Sequence, residues 1–209
     1  MKPIAVIDFE TTGLSPTMGD RATEVAIVLV EGDRIVDRYQ SLMNAGVRIP
    51  AFIEAYTGIT NAMIEDAPPA EEVMAEAARF VAEAPMVAHN ASFDSRFWQA
   101  ELAHAGRPAG HAFACTLLLS RRLYPQAPSH KLGSLAAFHA LPSSGRAHRA
   151  MADAEVAAAL LGQIRHDLRR QYGVGECRHD LLLKVQRTAR HAVPKVIEKY
   201  LQASEPASA

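Results

Sequence analysis

Pro3-Ile4-Ala5-Val6-Ile7-Asp8-Phe9-Glu10-Thr11-Thr12-Gly13 begins as an apolar run of strand length and ends in acids, threonines and a glycine. Such a run reads as a central strand buried on both faces. Side chains alternate across a strand, so Asp8 and Glu10 point to one face and Phe9 to the other. Two carboxylates on one face at the carboxyl end of a central strand are costly unless a cation joins them. Ligand sites of open α/β sheets lie outside those strand ends. The alternative is that Glu10 merely opens a solvated loop.

Outward from that strand, residues 24–30 read as a second strand. Gly32-Asp33 forms a turn and residues 34–42 a third strand, so the two make a hairpin. Pro68-Pro69 breaks the chain. Residues 70–84 carry Val73, Met74, Ala77, Phe80 and Val81 at helical spacing. Pro85 ends that helix, and Met86-Val87-Ala88 is a short strand. Residues 92–105 form a helix closed by Gly106 and Pro108. Residues 113–116 fit a fifth strand, 116–123 and 131–140 short helices, and 150–171 a long helix. Residues 178–201 read as a last helix interrupted at Pro194, with 203–209 a disordered tail. Three strands followed by alternating helix and strand give an α/β domain with a mixed sheet.

The chain has 209 residues, 49 % of them hydrophobic, and a net charge of −1, which suits one domain or one domain with an appendage. That size needs no metal or disulfide to staple it. Two cysteines, Cys115 and Cys177, exclude a disulfide scaffold. No apolar run reaches the roughly 20 residues that span a bilayer, and the stretch before Asp8 is too short for a signal peptide. The expectation is a soluble, cytoplasmic protein with no membrane partner. Charge is uneven: residues 1–162 hold 13 Lys/Arg against 18 Asp/Glu, whereas residues 163–200 hold nine against four. A basic end on an acidic body suggests an anionic partner, or else a solvated helical face.

Two further stretches bear acids in unusual places. In Ala88-His89-Asn90-Ala91-Ser92-Phe93-Asp94, Ser92 reads as a helix N-cap with Asp94 in the first turn. Asp94 there either answers the helix dipole or, sharing a face with Phe97, Trp98 and Leu102, is drawn inward. In His148-Arg149-Ala150-Met151-Ala152-Asp153, Asp153 shares a stripe with Val156, Ala157, Leu160 and Ile164. An acid on an apolar stripe is unusual unless paired or bound to metal. Glu155 falls off that stripe and reads as solvated. His148 projects from the loop containing Gly145, beside the same place.

Together these pieces resemble the DEDDh exonuclease family, which includes the epsilon subunit of bacterial DNA polymerase III and a relative, RNase T. The first motif matches Asp8 to Gly13, the second His89-Asn90 through Phe93-Asp94, and the third His148-Arg149-Ala150 through Asp153-Ala154. Thr57-Gly58-Ile59-Thr60 matches a further recurrent piece. The resemblance covers residues 3–165, and the domain expected from it is 1–165. It implies an RNase H-like fold, a mixed five-stranded sheet flanked by helices. Residues 166–209 then form a basic helical C-terminal extension that matches no motif. That extension binds nucleic acid, mediates a homodimer or packs on the domain; a DNA polymerase partner stays open.

What the resemblance implies is metal-dependent removal of nucleotides from a 3′ end of single-stranded DNA or RNA, with DNA favoured. Asp8, Glu10 and Asp153 hold one divalent ion, Asp8 reaches a second, and Asp94 acts mainly through ordered water. His148 is the general base. Phe9, Thr11, Thr12, Gly13 and Leu14 meet the terminal nucleotide, Leu14 as an apolar wedge. His89, Asn90 and Phe93 are further substrate-binding residues, with His89 and Asn90 steadying the site or else structural. Arg121, Arg122, His130, Lys131, Arg146 and Arg149 contact phosphates or are surface charges. The chemistry suits these residue types. Hydrolysis builds charge on an anionic phosphate, two cations balance four carboxylates, and hard Mg²⁺ or Mn²⁺ prefers oxygen donors. A histidine accepts a proton near neutral pH. The alternatives are an RNA-trimming enzyme of the RNase T or oligoribonuclease type, and a non-catalytic nucleic-acid-binding or polymerase-accessory module. The intact acid set argues against the second.

Overall fold

The computed structural model describes residues 3–142 and 148–204. Five strands form one sheet in the order β3-β2-β1-β4-β5. They are β1 (Ile4–Thr11), β2 (Ala22–Glu31), β3 (Arg34–Leu42), β4 (Met86–Ala88) and β5 (Phe113–Cys115). β1 is central, antiparallel to β2 and parallel to β4. β2 and β3 make the expected hairpin, and Gly32 turns it with φ +59°, a conformation open to glycine. The mixed five-stranded α/β expectation is met.

Alternation along β1 divides the core. Ile4 and Val6 join a cluster with Val28, Leu160, Leu161 and Ile164, the last three from the long helix α7 (Ala150–Tyr172). Ala5, Ile7 and Phe9 pack on the opposite face against α3 (Ala70–Val81) and α4 (Ser92–His104). Trp98 is fully buried there and donates to His111 Nδ1 at 3.3 Å, so it is core rather than a stacking surface.

Several elements differ from expectation. Residues 43–69, read without elements, contain α1 (Ala51–Thr57) and α2 (Asn61–Glu65), too short for periodicity to mark them. The N-cap of α4 is Ala91, not Ser92, which is already helical. α5 (Thr116–Leu123) and α6 (Leu132–Phe138) are, by contrast, the short helices expected. The C-terminal segment is two helices, α8 (His179–Arg187) and α9 (Val193–Ser204). The break falls at Thr188, and Pro194 sits in the first turn of α9, where its missing N–H costs nothing. Of the expected tail, residues 203 and 204 close α9, while 205–209 lie outside the described residues.

α8 and α9 are folded into the core: Leu181, Leu182, Val185, Val193 and Ile197 are buried in the α7-side cluster. Gln186 accepts from Cys115 N at 2.6 Å and donates to Phe113 O at 3.2 Å, so a side chain occupies the open edge of β5. Among the described residues, no helix is long and apolar enough to cross a membrane.

Candidate active site

Asp8 and Glu10 sit on the α7 face of β1, where the first turn of α7 presents Asp153. One carboxylate oxygen from each of Asp8, Glu10 and Asp153 lies within 4.8 Å of the other two. Three acids so close repel one another, and burial adds to that repulsion. Burial, then Asp94, Glu10 and Asp153, hold the Asp8 carboxyl well above its usual range. Burial and the charges of Asp153 and Glu24 push Glu10 up to about 8, with Arg149 opposing. Burial also raises Asp153, against the backbone N–H of His148, which donates to its Oδ2 at 3.0 Å.

Asp94 comes from the other layer, in the first turn of α4, and is 2 % exposed. Burial pushes it up to about 8, while the N–H groups of Phe9 and of Asp94 itself, donating to its carboxylate, pull it back. It stands apart from the three-acid group but adds its charge to Asp8. The donor set is therefore four oxygen-bearing acids, three of them convergent, and no thiolate. That set fits hard divalent cations, whose charge would relieve the repulsion.

Glu24 is the acid that sequence reasoning passed over. It lies directly across from Glu10 in the β1–β2 ladder and is 1 % exposed. Arg149 grips it with two donors, at 2.8 and 3.2 Å, and Ala150 N donates at 3.0 Å. This contact fixes the first turn of α7 to β2 and so sets where Asp153 stands. An acid opening an otherwise apolar strand was the available clue. Arg149 is thereby committed to Glu24 rather than standing free for phosphate.

The stretch expected to meet the terminal nucleotide is a tied loop. Thr11 Oγ1 donates to Gly13 O at 2.6 Å, Thr12 N donates to Arg21 O at 2.9 Å, and Arg21 N donates to Thr12 Oγ1 at 3.0 Å. A Cβ on Gly13 would fall 2.4 Å from the Asp20 carboxylate, which Ser15 N already holds at 2.9 Å. Leu14 stands out of this loop at 77 % exposure, free to meet an apolar surface. Phe9 is buried in the core instead.

His89 follows β4 with both ring nitrogens engaged, Nδ1 with Thr116 Oγ1 at 2.9 Å and Nε2 with His130 O at 3.0 Å. Burial holds it down to about 4, so it is a neutral clamp between β4, α5 and the 130 loop. Asn90 is exposed with φ +65°, and Phe93 packs its ring 4.9 Å from Phe97. Arg121 and Lys131 are exposed, whereas Arg122 donates to Thr188 O at 3.1 Å. Glu155, expected to be solvated, accepts from Arg38 at 2.7 Å. His148 has φ +63°, and its ring lies against Tyr56 of α1, centroids 4.0 Å apart. Gly145 and Arg146 lie outside the described residues.

The exonuclease family model RNase_T matches residues 5–161. The chain is 39 % identical over 165 residues to the 3′-5′ exonuclease DinG of Bacillus subtilis, covering 78 % of this chain and 18 % of that protein. It is 33 % identical over 172 residues to DNA polymerase III subunit epsilon of Aquifex aeolicus, covering 82 % and 84 % of the two chains. Among solved structures, Exonuclease X in complex with 5′ overhanging duplex DNA superposes with TM-score 0.69 at 28 % identity, covering 88 % of this chain and 99 % of that one.

Proposed function

The chain belongs to the DEDDh exonuclease family, and from that premise we propose that it removes nucleotides from the 3′ end of single-stranded nucleic acid, DNA in preference to RNA. The observation that carries the reading is the convergence of Asp8, Glu10 and Asp153 within 4.8 Å, with buried Asp94, outside that trio, adding its charge to Asp8. A surface built only to bind an anionic strand would not gather four acids at the point of contact.

Asp8, Glu10 and Asp153 would hold Mg²⁺ or Mn²⁺, with a second ion reached from Asp8. When bound, such cations supply the charge that steadies the attacking and leaving oxygens of a phosphodiester. The chain's own groups do the rest. His148 takes the proton from the attacking water at an imidazole nitrogen. The Thr11–Gly13 backbone receives the terminal nucleotide, and Leu14 wedges against its base. Asp94 orders water at the far side of Asp8. Preference for DNA draws on the relatives: one is a DNA polymerase III subunit, and Exonuclease X was solved on DNA.

End-labelled DNA and RNA oligomers, incubated with Mg²⁺ or Mn²⁺, test this. A 5′-labelled DNA strand should give a descending ladder, and RNA a slower one. Degradation that ignores a 3′-terminal block but stops at a 5′ block would overturn the polarity. Faster cleavage of RNA would move the enzyme to the RNA-trimming reading.

A further inference from the structure

Thr57-Gly58-Ile59-Thr60 has no part in the chemistry above, yet it is tightly built. Gly58 ends α1 in the left-handed region at φ +74°. Thr57 Oγ1 donates to Ile53 O at 2.9 Å and accepts from Ile59 N at 3.1 Å. Asn61 exchanges two hydrogen bonds with the backbone of Ile49, at 2.8 and 2.9 Å, and donates to Glu54 Oε1 at 2.7 Å. Beneath them Ile49, Ile59 and Ile64 form their own buried cluster. A helix of seven residues does not persist by itself, so this network is what holds α1 in place.

α1 carries Tyr56, an aromatic residue left 57 % exposed one position before that turn. Its ring lies over His148, centroids 4.0 Å apart and planes tilted by 31°. The backbone of His148 is already tied to Asp153. Main chain and ring are thus fixed from two directions, one by the acid cluster and one by α1.

We propose that Tyr56 is a positioning residue for His148, setting the plane of the imidazole beside the carboxylates, and that the Thr57–Thr60 turn serves to hold Tyr56 there. The proposal rests on His148 being the general base. A base must present one nitrogen to one water, and a ring free to rotate spends only part of its time so aimed. The strength of an aromatic pair corresponds to about two- to tenfold in the population of one orientation.

Two measurements test it. In cation-free protein, the His148 ring protons, assigned with His148→Ala, should resonate upfield because of the Tyr56 ring. Tyr56→Ala should abolish that displacement and Tyr56→Phe keep it. In cleavage assays Tyr56→Ala should lower kcat about two- to tenfold with KM held within about twofold, and Tyr56→Phe should restore it. In the His148→Ala background, Tyr56→Ala should cost nothing more. An undisplaced His148 resonance in the wild type, a loss additive to that of His148→Ala, or a loss confined to KM would each overturn the positioning role. A His148→Ala enzyme as fast as wild type would overturn the base assignment and this proposal together. A slow His148→Ala enzyme beside a fully active Tyr56→Ala enzyme would overturn the proposal alone.

Discussion

Raising the pH from 7 to 9 in the presence of a chelator should lower the melting temperature. The cause is the crowded acids. Glu10, held up to about 8 in the fold, titrates near 4.5 in the unfolded chain. Between those values the folded protein binds a proton that the unfolded chain has lost, so stability falls as pH rises through the window and levels off above it. The portion lying between pH 7 and 9 is about 1 kcal/mol for Glu10. Asp94 and Asp8, both raised by burial, act in the same direction. Partly exposed histidines oppose them: His89 is held down to about 4, and His130, His139 and His179 are lowered too. Their effect belongs to the range below about 6.5 and is nearly spent by pH 7, leaving less than about 1 kcal/mol in the chosen window. The net loss is about 1–2 kcal/mol, or about 3–6 °C for a chain of this size. Scanning calorimetry at matched ionic strength measures it. Glu10→Gln should flatten the decline and melt higher than wild type at pH 9. Saturating Mg²⁺ should also flatten it, because the cation competes with protons for the same oxygens, whereas NaCl should not. A melting temperature independent of pH in chelator, or a Glu10→Gln variant that keeps the full decline, would refute the reading of this cluster as charge-frustrated without cations.

The other consequences are simpler to state. His148→Ala should slow cleavage by about 10²–10⁴ while the Mg²⁺-induced rise in melting temperature stays intact, since the imidazole is not a proposed ligand; kinetics and calorimetry on one sample check both. Arg149→Ala should cost about 3–5 kcal/mol, because it leaves Glu24 buried without its counter-ion, and denaturant titration would detect it. Ending the chain after Gly173 removes Leu181, Leu182, Val185, Val193 and Ile197 from the core. At about 1.5–3 kcal/mol per buried side chain, that loss rivals the entire stability of a domain. The truncated chain should therefore lose its cooperative melting transition by circular dichroism.

Elements with strong local pattern were legible in the sequence. The apolar run into Asp8 marked β1, the spacing of Val73 to Val81 marked α3, and Asp153 on an apolar stripe marked its own oddity. What escaped depends on contacts far apart in sequence. Glu24 looks like an ordinary strand residue until Arg149, 125 positions later, closes on it. Tyr56 looks like a surface aromatic until His148 is seen beneath it. α1 and α2 are too short to show a period, and their stability comes from the Ile49–Ile59–Ile64 cluster rather than from propensity. The basic C-terminal segment suggested an anionic partner by its charge. Its apolar stripe is buried against α5, α7 and β5, and Gln186 closes the sheet edge, which charge counting alone does not reveal.

The shortness of β4 bears on where Asp94 stands. That strand has three residues and pairs with β1 only at Ala5 and Val6. Further along β1 the side facing β4 carries no strand partner, and the N–H of Phe9 would be left without a ladder acceptor. Asp94 stands near that place: α4 begins soon after β4 ends, and the Phe9 N–H favours the charged form of the Asp94 carboxyl. A longer β4 would satisfy Phe9 through its own backbone and push α4 away. The same gap lets Asp94, rising from the α3–α4 layer, act on Asp8, whose side chain belongs to the α7 layer. Acids from both layers therefore act on one another where the parallel half of the sheet stops.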